Sequence, residues 1–554
     1  MRLSEELYQK YLEELQELEN FKLSHTEGYF GILKEVMEDP HTKHIVETLA
    51  FFIARSQIHG EQTILNLYRR LFRQYFPYFW SPLPSMGLIQ LQPSRNLSET
   101  IVCKEGTEIL TRTRDKRRVY FQTTEPVRVL PIHYSKSQFI AKKKEPARFI
   151  LKFKSMTEFK EEIGTFRLFV NCLNDFPSSW SLSIALRQHL RSIRILYDKT
   201  EGLGEPCEFT FNHSNQKTLF KHPIEQLRSL IHFPEQELFL DIEVPPYREK
   251  WKTFTLCFDL GNDWPEEFPL SEESFYPFVV PMVNLQKTTA EIIRCDGTQD
   301  SYPILHPTSE KDFAIHSFQG LYSLDNHKPV PLKPHFLSSG DESYEIEPIF
   351  SEGQPPEYRL QVNLEDALQK TKLITIEALW YQPWFDKLDH DVKAVLSSKI
   401  LKEYSLRLVG HMTSPEDRTS TYDIKLLTRL LSLKNQTRLD LKDLLFLFNI
   451  LKINEKSHFK EIPKQIIDLK VSQRYGSLST GVTHEYSFLL EKLNRKNQDL
   501  VLLYFRNLKV FLDLWMSNID VEVTVSAPNF KEPITIKEGS SHETSALVRD
   551  LLLL

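Results

Sequence analysis

The sequence predicts a multidomain α+β fold with an amino-terminal helical region, β-sandwich-like central domains and a mixed α/β carboxy-terminal region. Three observations lead to this prediction. The 554 residues exceed a single ordinary core and suggest about three or four domains. Apolar residues recur at helical spacing before residue 81 and at a two-residue period after it. Proline is frequent, with 31 residues, and glycine is scarce, with 17, which is typical of strands separated by proline-containing turns.

Residues 1–80 are predicted to form a helical, partner-binding region. The first helix is expected over residues 3–22, with Ser4 as its cap. Its apolar stripe has spacings of four, four and three residues and consists of Leu7, Tyr11, Leu15 and Leu18. A helix with one such stripe either folds back on its own domain or joins a bundle with other chains, and both arrangements fit the spacing.

Two further helices are predicted before residue 76. The second begins at Asp39-Pro40, because aspartate caps a helix and proline suits its first turn, and it is expected to end at Gly60. Its buried face is expected to contain Ile45, Leu49, Phe52 and Ile53. The third runs from about residue 61 to residue 75, with an inward face of Ile64, Leu65, Tyr68, Leu71 and Phe72.

A segment rich in aromatic residues and proline follows these helices. Five of the six residues between Tyr75 and Trp80 are aromatic. Proline cannot donate a backbone hydrogen bond and favours extended geometry before it, so the segment should leave the helix as a stiff arm. It forms either an internal packing corner or an assembly surface. For the second case the candidate partner-binding residues are Phe76, Pro77, Pro82, Pro84 and Met86.

Residues 81–336 are predicted to be a β-rich central body of one or two sandwich-like domains, because short alternating segments are separated by turn residues. Strands are expected at 100–103, 108–111, 119–123, 127–130, 149–153, 166–170, 238–244 and 253–260, with a short helix at 225–231. Residues 337–360 are polar and proline-bearing, and are expected to be a linker or long loop.

Residues 361–554 are predicted to form a mixed α+β carboxy-terminal domain. Strands are expected at 373–381 and 405–409, and helices at 424–433, 439–453 and 500–516. A strand pair is expected at 521–525 and 534–536.

Composition excludes several classes of protein. The net charge of −6 gives no general attraction to nucleic acid. The five cysteines include no Cys-x-x-Cys pair, which indicates a reduced, cytoplasmic protein and not a disulfide scaffold. The sequence contains neither an apolar signal core nor a run of about 18 apolar residues, so we expect no direct membrane insertion.

No local motif announces catalysis, and we expect no cofactor and no metal. Nucleophile elbows, phosphate-binding loops and dinucleotide fingerprints are absent from the sequence. His41 and His44 are spaced to share one face of a helix but have no further ligand nearby. In Asp389-His390-Asp391 the second aspartate is more plausibly a helix cap than a catalytic group.

Two surface clusters are candidates for partner binding. Arg114, Arg117 and Arg118 belong to a basic run between two strands, expected at a hairpin tip that either faces solvent or docks on an acidic partner. Lys142-Lys143-Lys144 is a similar cluster. Trp380 and Trp384 flank a proline in a second aromatic concentration, which suits a core corner or an interface anchor.

Several motifs, in order along the chain, resemble the TssF family (also called ImpG or VasA) of type VI secretion baseplate proteins. They are Phe76-Pro77 with Pro82-x-Pro84-Ser85-Met86, Glu105-Gly106-Thr107 before Ile109-Leu110, Phe121-Gln122-Thr123 before Val129-Leu130-Pro131, Phe233-Pro234-Glu235, Pro281 to Asn284-Leu285, and Ser517-Asn518. Their order over most of the chain carries the resemblance more than any single motif does.

The resemblance implies a structural role and a set of partners. Two copies of such a chain combine with one TssG-like subunit into a wedge, and neighbouring wedges ring a VgrG-like spike hub. A TssK-like adaptor and a TssE-like sheath initiator dock on the wedge. The family is related in architecture to the wedge proteins of contractile phage tails. The resemblance also implies recruitment to the cytoplasmic face of the inner membrane, and a role in sheath assembly and effector delivery.

The chain also departs from the family pattern. Leu379-Trp380-Tyr381-Gln382 stands where the family commonly has Thr-Asn-Arg, and the carboxy-terminal region has few glycines. Inter-wedge contacts of that region are therefore the least secure expectation. The alternatives are a wedge protein of another contractile device, a β-sandwich hydrolase with dispersed carboxylates, and an array of carbohydrate-binding modules. The last of these does not explain the amino-terminal helices.

Overall fold

The computed structural model describes most of the chain between residues 2 and 536. The residues outside the description are 1, 26–39, 95–96, 113–116, 141–145, 199–203, 213–219, 221, 309–311, 326–327, 338–341, 351–354, 364–370, 386–392, 397–403, 417–423, 453–457, 476–481, 494–496, 517–518, 530–532 and 537–554. The chain divides into two units, one of Met1–Pro77 with Thr421–Arg429 and one of Tyr78–Ser420 with Leu430–Leu554.

The first unit is built on two long helices, α1 (Arg2–His25) and α2 (Pro40–Tyr75), which pack against each other. They run antiparallel, because Lys10 Nζ lies 2.5 Å from Glu61 Oε1 while Glu14 Oε1 accepts from Gln57 Nε2 at 2.6 Å. The predicted first helix is thus confirmed, but it begins at Arg2, so Ser4 lies within the helix and is not its cap. Its four stripe residues are half-buried, whereas Tyr8 and Leu12 beside them are exposed.

Helix α2 is continuous, which corrects the prediction of two helices separated at Gly60. Gly60 keeps a helical backbone and does not adopt the positive φ of a helix terminator. One glycine inside a helix costs only about 1 kcal/mol relative to alanine, so the 36-residue helix continues through it.

The second unit contains the strands and the remaining helices. The helices are α3 (Pro77–Trp80, whose first residue belongs to the first unit), α4 (Phe176–His189), α5 (Pro223–His232), α6 (Ile424–Lys434, which the two units share), α7 (Leu441–Ile450) and α8 (Gln498–Trp515), with short 3-10 turns at Pro234–Glu237, Glu272–Ser274, His335–Leu337 and Pro463–Gln465. The strands are β1 (Met86–Pro93), β2 (Ile101–Cys103), β3 (Glu108–Arg112), β4 (Arg118–Thr123), β5 (Val127–Val129), β6 (Ile132–Ile140), β7 (Arg148–Phe159), β8 (Thr165–Val170), β9 (Leu190–Tyr197), β10 (Glu205–Asn212), β11 (Phe239–Glu243), β12 (Trp251–Leu260), β13 (Phe275–Pro277), β14 (Val279–Val283), β15 (Gln286–Thr289), β16 (Ile293–Cys295), β17 (Tyr302–Pro303), β18 (Ala314–Asp325), β19 (Lys328–Pro331), β20 (Lys333–Pro334), β21 (Ser343–Ile349), β22 (Glu357–Asn363), β23 (Lys372–Tyr381), β24 (Lys393–Leu396), β25 (Tyr404–Val409), β26 (Ile466–Tyr475), β27 (Val482–Leu490), β28 (Asp520–Ser526) and β29 (Ile534–Ile536).

Two large antiparallel sheets form the centre of this unit. The six-stranded sheet has the order β24-β3-β4-β14-β1-β25, and the eight-stranded sheet has the order β13-β8-β11-β10-β9-β12-β7-β6. Their inward residues share one hydrophobic core, rich in phenylalanine, in which Phe153 stacks on Phe254 with ring centroids 5.0 Å apart. Two sheets over a common core are the predicted sandwich-like arrangement, and the eight central strands expected from the sequence are all present.

A smaller core joins a five-stranded sheet (β15-β23-β18-β19, with β16 also on β23) to a four-stranded sheet (β17-β22-β21-β20). The segment 337–360, expected to be a linker or long loop, instead supplies most of the β21–β22 hairpin. Tyr358 and Leu360 are buried there, because they alternate with the polar residues Glu357 and Arg359. Sheets therefore continue across residues 336 and 361, and the domain boundaries placed there stay a prediction.

The carboxy-terminal region confirms most of its predicted elements. Strands β28 and β29 pair antiparallel, and β27 pairs with β28 in parallel in a sheet of order β26-β27-β28-β29. Helix α8 lies against β28 and also contacts α4 and α5, so it is buried on several sides. Helix α4 was not predicted. Asp175 is the sequence feature that could have predicted it, because aspartate is a preferred cap. In the structure Asp175 caps the helix by accepting a hydrogen bond from Ser178 N at 3.1 Å.

A buried amide pair ties the six-stranded sheet to the five-stranded sheet. Asn284, directly after β14, accepts from Gln382 N at 2.8 Å and donates to the Tyr120 carbonyl at 2.8 Å. Gln382, directly after β23, accepts from Tyr120 N at 3.0 Å and donates to the Arg118 carbonyl at 2.9 Å. Both amides are almost fully buried, and together they satisfy backbone groups of β4 that no strand covers at this point.

We expect Asn284→Ala to lower the free energy of unfolding by about 2–3 kcal/mol, because it leaves buried groups of Tyr120 and Gln382 unpaired. Urea denaturation followed by tryptophan fluorescence measures the change. Gln361→Ala is the control, since it removes a half-buried amide bonded only to the Glu347 carboxylate at 2.9 Å. Equal stability of the two variants would contradict a structural role for the amide pair.

Candidate partner-binding surface

The aromatic part of the proline-rich segment is an internal corner. Tyr78, Phe79 and Trp80 are buried in α3. Tyr78 stacks on His222 with ring centroids 4.3 Å apart, and burial raises the pKa of Tyr78 to about 12. The ring centroids of Phe79 and Trp515 are 6.0 Å apart, and those of Trp80 and Phe350 are 5.9 Å apart. The corner therefore joins residues from distant parts of the sequence.

Buried polar side chains hold the backbone of this corner. Arg228, which is 3% exposed, donates to the carbonyls of Tyr78 and Ser81. His232 is equally buried, and its Nε2 lies 3.2 Å from the Pro84 carbonyl and 2.7 Å from Thr413 Oγ1. Its Nδ1 lies 3.3 Å from Glu416 Oε1. These contacts take up carbonyls that a chain broken by prolines cannot place in a sheet ladder.

The candidate residues of this segment fall into two groups. Pro82, Pro84 and Met86 are buried inside the chain, where the structure favours the packing corner over the assembly surface. Phe76 is also buried and stacks on Phe72, whereas Pro77 is exposed. The four buried side chains are not accessible to a partner in this conformation.

Trp380 belongs to the smaller core. It is 2% exposed and donates from Nε1 to the Thr288 carbonyl at 3.2 Å. Its ring meets the His306 ring edge to face, with centroids 5.0 Å apart. The His306 ring in turn stacks on Phe313, with centroids 3.8 Å apart. This aromatic cluster lowers the pKa of His306 to about 4, because burial disfavours the imidazolium. Trp380 therefore packs inside the chain.

The basic run and the second aromatic cluster meet at the β3–β4 hairpin. The Arg117 guanidinium lies over the Trp384 ring, with Cζ 4.9 Å from the ring centroid. Arg117 and Arg118 are exposed and Trp384 is half-buried, so this stacked pair is accessible. Arg114 lies outside the described residues. The sequence identified both clusters but had no signal that would bring them together.

Helix α2 carries an exposed apolar surface that the sequence analysis did not predict. Residues expected on buried faces are exposed instead, among them Ile45 (68% exposed), Phe52 (59%) and Ile64 (51%). The buried apolar positions are Ala50, Ala54 and Ile58, which repeat every four residues, and Phe72, which is buried as expected. Apart from Phe51, the exposed apolar residues of α2 lie within one side of the helix and form two groups, Ile45, Leu49 and Phe52, and Ile64, Leu67, Tyr68, Leu71 and Tyr75. We call this set the α2 apolar face.

The alternation in α2 explains the error. Two apolar stripes run along the helix, and the buried one combines the small residues Ala50 and Ala54 with the larger Ile58 and Phe72. The prediction places large residues on the buried face throughout, whereas in the first half of the helix the alanines Ala50 and Ala54 are buried and large neighbours are exposed. Of the 20 large hydrophobic side chains that are exposed in the described part of the chain, 11 lie on α1 and α2, so the exposed apolar surface is concentrated in this unit.

Other predicted features have a minor place. His44 is exposed and lies 3.5 Å from Glu47, and the residues that the structure describes contain no cluster of three metal-ligating side chains. The side chain of His41, the run Lys142-Lys143-Lys144, the cluster Asp389-His390-Asp391 and the pair Ser517-Asn518 lie outside the described residues. Within the described ranges, no helix has the length and apolar character needed to cross a bilayer.

The sequence of this chain matches a known protein family. The sequence model of the family described as "Type VI secretion system, TssF" matches residues 4–192 and 214–374, which is more than half of the chain. The chain belongs to the TssF family. No curated protein matches it.

Two solved assemblies contain chains with the same fold as this TssF protein. One is the "type VI secretion system TssK-TssF-TssG baseplate subcomplex", with a TM-score of 0.69, 14% identity, and coverage of 90% of this chain and 98% of that chain. The other is "the baseplate complex from the type VI secretion system", with a TM-score of 0.57, 12% identity, and coverage of 94% and 96%. The predicted resemblance is thus confirmed, and the likeness extends through the carboxy-terminal region, where the motifs are sparse.

We expect the TssF protein to lose stability as the pH falls from 7 to 5, in part through His306. The pKa of His306 is about 4 in the folded chain and 6.5 for an unperturbed histidine. Unfolding therefore takes up a proton below about pH 6.5, and the stabilising contribution of neutral His306 decreases by about 2 kcal/mol between pH 7 and pH 5. Urea denaturation at the two pH values measures this decrease.

His306→Phe keeps the stacking partner of Phe313 and removes the titration, so it should show a smaller decrease between pH 7 and 5 than the unmodified chain. His411→Asn, at an exposed position, is the control and should keep the full decrease. An identical pH response in His306→Phe and in the unmodified chain would rule out this origin of the pH dependence.

Proposed function

We propose that this TssF protein is a structural subunit of a type VI secretion baseplate wedge and binds a TssG-like subunit through the α2 apolar face. The observation that carries the proposal is the concentration of large exposed apolar residues on one side of a 36-residue helix. Large exposed apolar patches are rare on monomeric proteins and mark interaction surfaces, because covering them removes apolar area from water. The solved subcomplex with the same fold contains TssK and TssG beside TssF, which supports both as partners.

The geometry favours assembly over catalysis. A hydrolase would need acids of raised pKa grouped in one pocket, whereas the acidic pair Asp241 and Glu125 is neutralised by Arg167. Arg167 reaches both oxygens of Asp241, at 2.6 and 2.9 Å. An obligate interface buries about 2,000–5,000 Å² in total, and a long exposed helical face is suited to this demand.

The finer features of the wedge follow from the family resemblance and belong to the proposal. They are two copies of this chain per TssG-like subunit, docking of a TssK-like adaptor and a TssE-like sheath initiator, and contacts with neighbouring wedges around a VgrG-like hub. The baseplate would sit at the cytoplasmic face of the inner membrane and support sheath assembly and effector delivery. In each of these contacts the chain would act by holding surfaces at fixed positions.

The double substitution Phe52→Asp with Leu67→Asp tests the proposed interface. Both residues lie on the α2 apolar face and are more than half exposed, so the folded chain should tolerate aspartate there. Two charges placed at the centre of an apolar interface should abolish the complex with a co-expressed TssG-like subunit. Native mass spectrometry of the co-purified proteins measures both the complex and its stoichiometry.

The matched control is Arg55→Asp, which lowers the net charge by the same two units at an exposed position, about 60° or more around the helix axis from every residue of the α2 apolar face. This variant should assemble like the unmodified chain. Normal assembly of the Phe52 and Leu67 variant would remove the α2 apolar face from the interface. A monomer from the unmodified chain in the presence of the partner would contradict the wedge function itself.

A further inference from the structure

The outer face of the eight-stranded sheet carries a row of basic side chains. In β7 the residues Leu151 and Phe153 are buried in the core, so Lys152 and Lys154, which alternate with them, lie on the opposite face. On the neighbouring edge strand β6, Lys136 lies directly opposite Lys152, and His133 lies opposite Lys154. We call Lys136, Lys152 and Lys154, with His133 beside them, the lysine face.

The arrangement is unfavourable for the isolated chain. Directly opposed residues on adjacent strands have Cβ atoms about 5 Å apart, and like charges at directly opposed positions destabilise a sheet. Lys136 and Lys154 are exposed and Lys152 is half-buried. A sheet face that served only as a solvated surface would be more stable with a carboxylate at one of the opposed positions.

Carboxylates near the lysine face are engaged elsewhere. Asp259 on β12 lies 2.9 Å from Arg148 Nε and 3.6 Å from Arg194 Nε. Glu158 lies 4.0 Å from Lys250 Nζ, and Asp198 accepts from Lys252 N at 3.1 Å. Among the residues that the structure describes, none of the three lysines is within 4.0 Å of a carboxylate. The positive charge of this face is therefore available to an external group.

We propose that the lysine face is a docking site for an acidic segment of a protein partner, separate from the α2 apolar face. Charge complementarity identifies the occupant. Alternate residues of a strand are about 6.6 Å apart, which is close to the distance of about 6 Å between the Cβ atoms of residues three or four apart on an acidic helix. The surrounding outward residues are Ile150, Thr253 and Thr255, which offer a flat surface without aromatic rings for stacking nucleobases.

A direct binding measurement tests the proposal without any baseplate protein. The full chain should bind a fluorescent polyglutamate peptide in low salt and should not bind polyglutamine, and the binding should weaken as salt screens it. Lys136→Glu with Lys152→Glu and Lys154→Glu should reduce the affinity at least tenfold. The matched control reverses three exposed lysines elsewhere, Lys442, Lys470 and Lys492, and should bind like the unmodified chain.

Three results would overturn the proposal. One is an equal loss of affinity in both triple variants, which would show a general effect of net charge. Another is unchanged polyglutamate binding by the lysine-face variant. The last is binding to phosphatidylserine vesicles or duplex RNA that is tighter than polyglutamate binding and is lost in the same variant, since the occupant would then be a lipid surface or a nucleic acid.

A milder variant separates docking from folding. Lys152→Gln removes one of two opposed charges without creating a new one, so it should keep or raise the melting temperature while weakening polyglutamate binding. A lower melting temperature would show that Lys152 stabilises the sheet, contrary to the proposal. The Phe52 and Leu67 variant should bind polyglutamate normally, and this result distinguishes failure of the lysine face from failure of the proposed wedge function.

Discussion

The entry of the chain into β1 depends on side chains that replace the hydrogen bonds removed by proline. Arg228 and His232 take up the carbonyls of Tyr78, Ser81 and Pro84, and both lie on or next to helix α5. Because β1 pairs with β14 on one side and β25 on the other, an error at the corner would shift two strand pairings. The buried polar contacts of this corner thus fix the register of the six-stranded sheet.

Local patterns predicted most of the strands, because their stabilisation comes from alternation along a few residues. In β4, Val119 and Phe121 face the core while Tyr120 faces away, and this pattern is visible in the sequence. The pairing of Asn284 with Gln382 was not predictable, since the two residues are 98 residues apart and the motifs that contain them do not indicate that they meet. The hairpin of β21 and β22 was missed because its polar and proline residues resemble those of a loop.

Periodicity also left the packing of α2 undetermined. A hydrophobic pattern shows that a helix has an apolar side. When two apolar stripes adjoin, however, the pattern does not determine which of them packs within the chain. Here Ala50 and Ala54 are buried together with Ile58 and Phe72, whereas the large residues of the α2 apolar face are exposed. A residue such as Phe52 on the outside is unfavourable in a monomer and favourable in an assembly. The burial pattern therefore carries information about partners that the sequence pattern lacks.

The departure from the family pattern at Leu379 to Gln382 has a structural explanation in the interior of the chain. Trp380 fills the smaller core, and Gln382 replaces a missing strand neighbour for Tyr120 and Arg118. Neither side chain is on the surface, so a change at these positions alters how two sheets are joined and leaves the exposed faces unaffected.

The two accessible surfaces also differ in their physics. Burial of the α2 apolar face would supply stability, whereas the charges of the lysine face would mainly supply orientation and rate of association, because screened charges contribute less to affinity than to encounter.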